Sequence, residues 1–163
     1  QANESLRRTD VRRRQLLADI SHELRTPTTA IRGEAEVTLT IDEARHTNSF
    51  GVAHGGLMMT LLDVAMAHAA RSLNLSMADG GPGIVTIEMK TTFMRPGGGT
   101  LRALGSVLHS TVAMAFTEGK VLDEQGRLCA HATATFKFLR ALPVSDRELR
   151  PMAKPLLSGP GSD

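Results

Sequence analysis

Between Asn48 and Asp63 the sequence reads NSFGVAHGGLMMTLLD, and this is where side chains of the right kinds for chemistry are gathered. A polar loop runs into His54, Gly55 and Gly56, and then into a stretch that is apolar nearly all round and carries a single acid, Asp63. A carboxylate among apolar neighbours costs free energy unless it is paired or used. Two adjacent glycines leave backbone N–H groups unshielded by side chains. If they open a helix, those N–H groups have no intrahelical partner and sit at its positive end. One short segment thus offers an oxyanion binder and a candidate general base or nucleophile.

Spacing then constrains how the two can cooperate. Gly55 and Asp63 are eight residues apart, about 12 Å along a helix axis. They cannot both reach one carbonyl from the same helix. If both act, two antiparallel helices in a homodimer must supply them, giving two equivalent composite sites.

Composition narrows the field. The chain has 163 residues, one domain plus appendages, and a net charge of +2 from 19 basic and 17 acidic residues. That near balance argues against nucleic acid. With no Trp or Tyr and five Phe, stacking platforms for single strands are also missing. The lone cysteine, Cys129, excludes an internal disulfide and fits a reducing, cytoplasmic setting. No apolar run reaches the roughly 18 residues of a membrane span. His68 reads as a core histidine; His109 and His131 sit on strand-like segments without ligand spacing, so no metal is expected. Cys129 reads as a small core or interface residue.

Elements to hold the candidate residues follow in order. Residues 1–33 read as one basic helix, with Leu17, Ile20, Leu24, Pro27 and Ile31 at alternating three- and four-residue spacings and seven of the 19 basic residues. Its arginines are expected to form a solvated face. Residues 34–42 alternate, with Ala35, Val37, Leu39 and Ile41 on one side, as in a half-buried strand; the same letters would also continue a helix. EARHTNSFGVA is read as a loop. Gly55–Leu73 is the central helix, buried because Leu57, Met58, Leu61, Leu62, Ala65, Met66 and Ala69 cover more than one face. Four strands follow: Ile84–Met94, with Val85, Ile87, Met89 and Phe93 on one face, then Leu101–His109, Met114–Leu122 and, after a DEQG turn, Arg127–Leu139. In the last, Ala130, Ala132 and Ala134 would let a helix lie close. One strand, one long helix and four antiparallel strands imply an α+β fold with one curved sheet around one helix. Residues 141–163, rich in Pro, Ser and Gly, read as a mobile tail.

Residues 34–140 resemble the hotdog fold and, within it, the PaaI-like acyl-CoA thioesterases. The resemblance rests on HTNSFGVAHGGLMMTLLDVAM, GIVTIEMKTTFMRPG and AFTEGKVLDEQGRLCAHATATFKFL, where the Asn, HGG and Asp spacings match together. It implies hydrolysis of acyl-CoA to free acid and coenzyme A by a homo-oligomer, a dimer or dimer of dimers, with no cofactor beyond the coenzyme A of the substrate. Asp63 would be base or nucleophile, and the Gly55 N–H would polarise the carbonyl. Asn48 would hold carbonyl or water for the opposing subunit, His54 would orient the loop, and Thr86 would position water. Gly56, Arg95 and Lys137 are candidates for substrate binding. The chemistry agrees, since a thiol near pKa 8.5 leaves without a dedicated acid. One carboxylate and one helix N-terminus then suffice.

ISHELRTP, in the N-terminal helix, resembles the H-box of sensor histidine kinases. That resemblance implies His22 as phosphoacceptor, assisted by Glu23, with Pro27 at the family's kink. Thr28 departs from the large aliphatic residue usual there, and no second hairpin helix or nucleotide-binding domain follows. The segment is therefore read chiefly as a structural arm. The alternative function is an acyl-CoA-binding or signalling module, without turnover, fused to an inactive kinase fragment.

Overall fold

The computed structural model describes residues 29–74, 77, 81–143 and 149–151. His22 and the helical seam around it lie outside the described residues.

The chain opens with a tight hairpin, β1 (Thr29–Ile31) and β2 (Glu34–Thr40), turning at Gly33 with φ +84°. A one-turn helix α1 (Glu43–His46) precedes the long helix α2 (Gly55–Ser72). Strands β3 (Gly83–Phe93), β4 (Thr100–Ser110), β5 (Met114–Leu122) and β6 (Leu128–Leu139) follow. The six strands form one antiparallel sheet in the order β1-β2-β4-β5-β6-β3. Helix α2 packs on one face of it, against β4, β2 and β5 above all. This is the hotdog arrangement, and the expected strand–helix–four-strand order holds to within a residue or two at each end.

The core is the meeting of α2 with that face. Leu57, Met58, Leu61, Leu62, Ala65, Met66 and Ala69 are all buried, together with Val37, Leu101, Val121 and Phe136. Close approach depends on a row of small residues running across the sheet beneath the helix. Ala35 pairs with Gly105, Gly105 with Gly119, and Gly119 with Ala132. A Cβ on Gly105 would fall 2.5 Å from the Ala65 carbonyl carbon and oxygen. The alanines of β6 were legible as a seat for the helix; the two glycines complete that seat.

Four expectations need correction. The helical reading of residues 1–33 fails at its end, because Thr29–Ile31 is a strand and Gly33 is the hairpin turn. The cause is tertiary. Ser72 Oγ accepts from the Gly33 N–H at 2.7 Å and lies 2.9 Å from the Ile31 carbonyl, while the Val107 N–H donates to the Gly33 carbonyl. We expect Ser72→Ala to cost about 1–2 kcal/mol by stranding a part-buried N–H. Faster hydrogen exchange at Gly33 and a lower denaturation midpoint would register it; unchanged values would show the clamp to be idle.

Second, the segment read as a loop after Asp42 contains α1, capped by the Asp42 carboxylate on the Ala44 N–H at 2.9 Å. Third, the alternation along β3 breaks. Thr86 pairs with Phe136 and Glu88 with the next residue back, Thr135, so Ile87 is an extra residue in a β-bulge. Thr86 and Met89, three apart, therefore both face α2, and Val85 faces away with its partner Lys137. Fourth, the presumed tail contains two short strands, β7 (Ala141–Pro143) and β8 (Leu149–Pro151), paired with each other. Pairing is a backbone interaction that turn-rich composition does not forbid, and both prolines stand at strand ends, where a missing N–H is tolerated.

Candidate active site

The site grows out of the entrance to α2. Asn48 shapes the loop: its Oδ1 accepts from the Phe50 N–H at 2.9 Å, and its N–H donates to the Val52 carbonyl. An isolated bridge between Thr47 and Ala53 closes the base of this loop. Beneath it, buried His46 accepts the Asp42 N–H at Nδ1, and its carbonyl takes the His54 N–H at 2.9 Å. The Gly97 carbonyl accepts from Ala53, so the glycine-rich turn after β3 straps the same loop.

His54 is the N-cap residue of α2. Its Nδ1 accepts from the Gly56 N–H at 3.2 Å, and its carbonyl accepts from Leu57 and Met58. Those three N–H groups are spent on the cap. The Gly55 N–H is the first-turn donor that the cap leaves over, at the positive end of an 18-residue helix. Gly56, expected to bind substrate, uses its N–H internally.

Two turns further on, Asp63 is half-buried on the flank of α2 that faces β3. The Thr86 hydroxyl donates to Asp63 Oδ1 at 2.7 Å. Two residues singled out separately in the sequence are thus a hydrogen-bonded pair, and the bulge at Ile87 lets it form with Met89 still in the core. The second carboxylate oxygen keeps lone pairs for a water or a carbonyl carbon.

The other candidates lie apart from this pair. Arg95 stands just past β3 and donates from Nη1 to the Leu128 carbonyl at 2.9 Å. Lys137 is exposed on the face of the sheet away from α2, opposite Met114 and Val85. That outer face also carries the Arg102–Glu36 pair at 2.7 Å and the Glu118–Lys120 pair at 3.1 Å. Hydrogen bonding to Arg102 holds the Glu36 carboxyl below its usual range. A recess of about 390 Å³ on that face is lined by Glu34, Glu36, Ser106, Glu118 and Lys120, on the far side of the sheet from Asp63.

The histidine and cysteine readings can also be placed. His68 is buried, and burial, with the charge of Arg71, lowers its pKa and favours the neutral ring. Its Nδ1 has no hydrogen-bond partner, so it is a core histidine but not a fully satisfied one. Cys129 is buried in the core, and burial pushes its thiol up, away from nucleophilic use. Among the described residues no cluster of three His, Cys, Asp or Glu side chains is placed to hold a metal ion. Sequence reasoning missed α1 with its buried His46, and it missed the bulge. Only the Asp42–Ala44 capping pattern carried a signal for the former.

A single helix wrapped by an antiparallel sheet, with an acid–hydroxyl pair on its flank and a glycine-opened N-terminus, defines a hotdog-fold protein. The chain belongs to the thioesterase superfamily: residues 50–130 match that family's model. Residues 12–52 match the His Kinase A phospho-acceptor domain. Among solved structures, a conserved protein of Pseudomonas aeruginosa is 30% identical, with 69% of this chain and 86% of that one covered at a TM-score of 0.61. The PaaI protein from the phenylacetic acid degradation operon of E. coli is 25% identical, with 66% and 74% covered at a TM-score of 0.59. A thioesterase of Haemophilus influenzae shares the fold at 20% identity, with 72% and 80% covered and a TM-score of 0.63. No curated protein sequence matches the chain. Among the described residues no helix is long and apolar enough to cross a membrane.

Proposed function

We propose that this protein hydrolyses acyl-CoA thioesters in composite sites shared by two copies of the chain. The Thr86–Asp63 hydrogen bond carries the reading. It fixes one carboxylate oxygen and leaves the other to activate water or to attack the thioester carbon directly. The carbonyl oxygen takes its negative charge toward the Gly55 N–H of the second copy, and the thiolate of coenzyme A leaves without a proton donor. Asn48, on the loop ahead of that N–H, contributes from the same chain as Gly55.

The partner is argued from the sheet edge. Strand β3 is 11 residues long and, among the described residues, pairs only with β6. A long unpaired edge is a template for another strand. Antiparallel pairing of two β3 edges about a twofold axis makes one continuous sheet. It also lays the two α2 helices antiparallel on the same face, bringing each Gly55 toward the other copy's Asp63. Exposed Ile87, Met59 and Phe93 flank this edge.

Mixing chains tests both claims at once. Asp63→Ala and Asn48→Ala homodimers should each release little thiol from acyl-CoA. When mixed and allowed to exchange, half the dimers are hybrids with one intact site of two, restoring roughly a quarter of wild-type turnover. Hybrids that form yet stay inactive would overturn the composite site. A wild-type protein that binds acyl-CoA without releasing thiol would instead mark a non-catalytic binding module.

A further inference from the structure

Phe93 ends β3 on the side facing α2, and its ring occupies the space that a side chain at position 55 would need. A Cβ on Gly55 would meet Phe93 Cζ at 3.3 Å. The ring is nevertheless 47% exposed, as is 36% of Met59, one turn along the helix from Gly55. Two large, partly open apolar side chains therefore stand at the helix end whose cap leaves one N–H over. Of the polar groups nearby, His54 Nδ1 holds the Gly56 N–H, and Arg95 donates to the Leu128 carbonyl.

We infer that Phe93 is the wall of the acyl site and its specificity-determining residue. The acyl group is apolar, packs against Phe93 and Met59 as its carbonyl meets the Gly55 N–H, and is limited in bulk beside the carbonyl by the ring. This rests on the thioesterase reading. It adds which acyl groups are accepted and which side chain decides.

The test compares wild type, Phe93→Ala and Phe93→Leu against acyl-CoAs with short straight, long straight, branched or aromatic, and carboxylate-ended chains. Wild type should favour apolar over carboxylate-ended groups. Phe93→Ala should raise KM for straight chains with little change in kcat, the mark of a lost contact made equally in ground and transition states. It should also shift the kcat/KM ratio of bulky to straight substrates by about tenfold toward the bulky ones, the scale of a pocket changed by a few carbons. Phe93→Leu should fall between, and it decides the matter if the alanine variant does not fold. A wild-type enzyme that turns over acyl-CoA but prefers charged acyl groups, or variants with an unchanged profile, would overturn the inference alone. A wild type that hydrolyses none of the panel would overturn the thioesterase reading and this inference with it.

Discussion

Asp63→Asn should lower kcat for acyl-CoA hydrolysis by about 10³-fold, the range for losing a positioned base or nucleophile. Stability should change by no more than about 0.5 kcal/mol. The asymmetry follows from the site. Asp63 is half-buried rather than sealed, and the Thr86 hydroxyl donates to its carboxylate from 2.7 Å away. An Asn at 63 keeps an acceptor for that hydroxyl and the volume of the side chain, but it has no carboxylate to activate water. Steady-state thiol release beside a thermal melt separates the two effects. Turnover at the wild-type rate in Asp63→Asn would remove the carboxylate from the chemistry, whatever the fold.

The second large effect is on stability. Gly105→Ala should cost about 3 kcal/mol, at the upper end for inserting one methyl group into a packed interior. The new Cβ would meet the backbone of α2 itself, at 2.5 Å from Ala65 and 2.6 Å from the Met66 nitrogen. Backbone held in a helix cannot step aside as a rotamer can. Gly119→Ala, in the same row, is the internal control. There a Cβ would meet side-chain atoms of Leu62 and Met66 at 3.0 Å, which can give, so the cost should be clearly smaller. Denaturant unfolding of both variants would check the order. Equal costs would mean that α2 is free to lift off the sheet. Because Ala65 and Met66 directly follow the turn bearing Asp63, Gly105→Ala should also disturb the Thr86 contact.

Much of this was legible in the chain. The apolar run from Leu57 to Ala69 announced a wrapped helix, and the alanines of β6 announced the face it rests on. The likeness to a family singled out Thr86 and Asp63 separately; their meeting was not legible, because no periodicity links positions 23 apart. What escaped was set by tertiary contact. A bulge adds one residue without a compositional mark, so the period-two reading of β3 placed Val85 and Ile87 with Met89. Gly105 and Gly119 carry no hydrophobic signal, yet they set how near the helix comes. Ile31 fitted a helical seam as well as a strand, and Ser72, 41 residues away, decided between them.

That last choice has a consequence for the N-terminal region. The stretch matching the phospho-acceptor family, residues 12–52, includes all of β1 and β2. Ala35, Val37 and Leu39 are committed to the interior of the thioesterase-like domain and hydrogen-bonded along β4 through seven register pairs. These twelve positions, 29 to 40, cannot at the same time prolong a kinase-type α-helix. Any helix carrying His22 must therefore stop short of Thr29, and lengthening it downstream would have to strip a strand from the sheet. Much of the stretch that resembles the kinase fragment is thus backbone that the hotdog sheet has already taken.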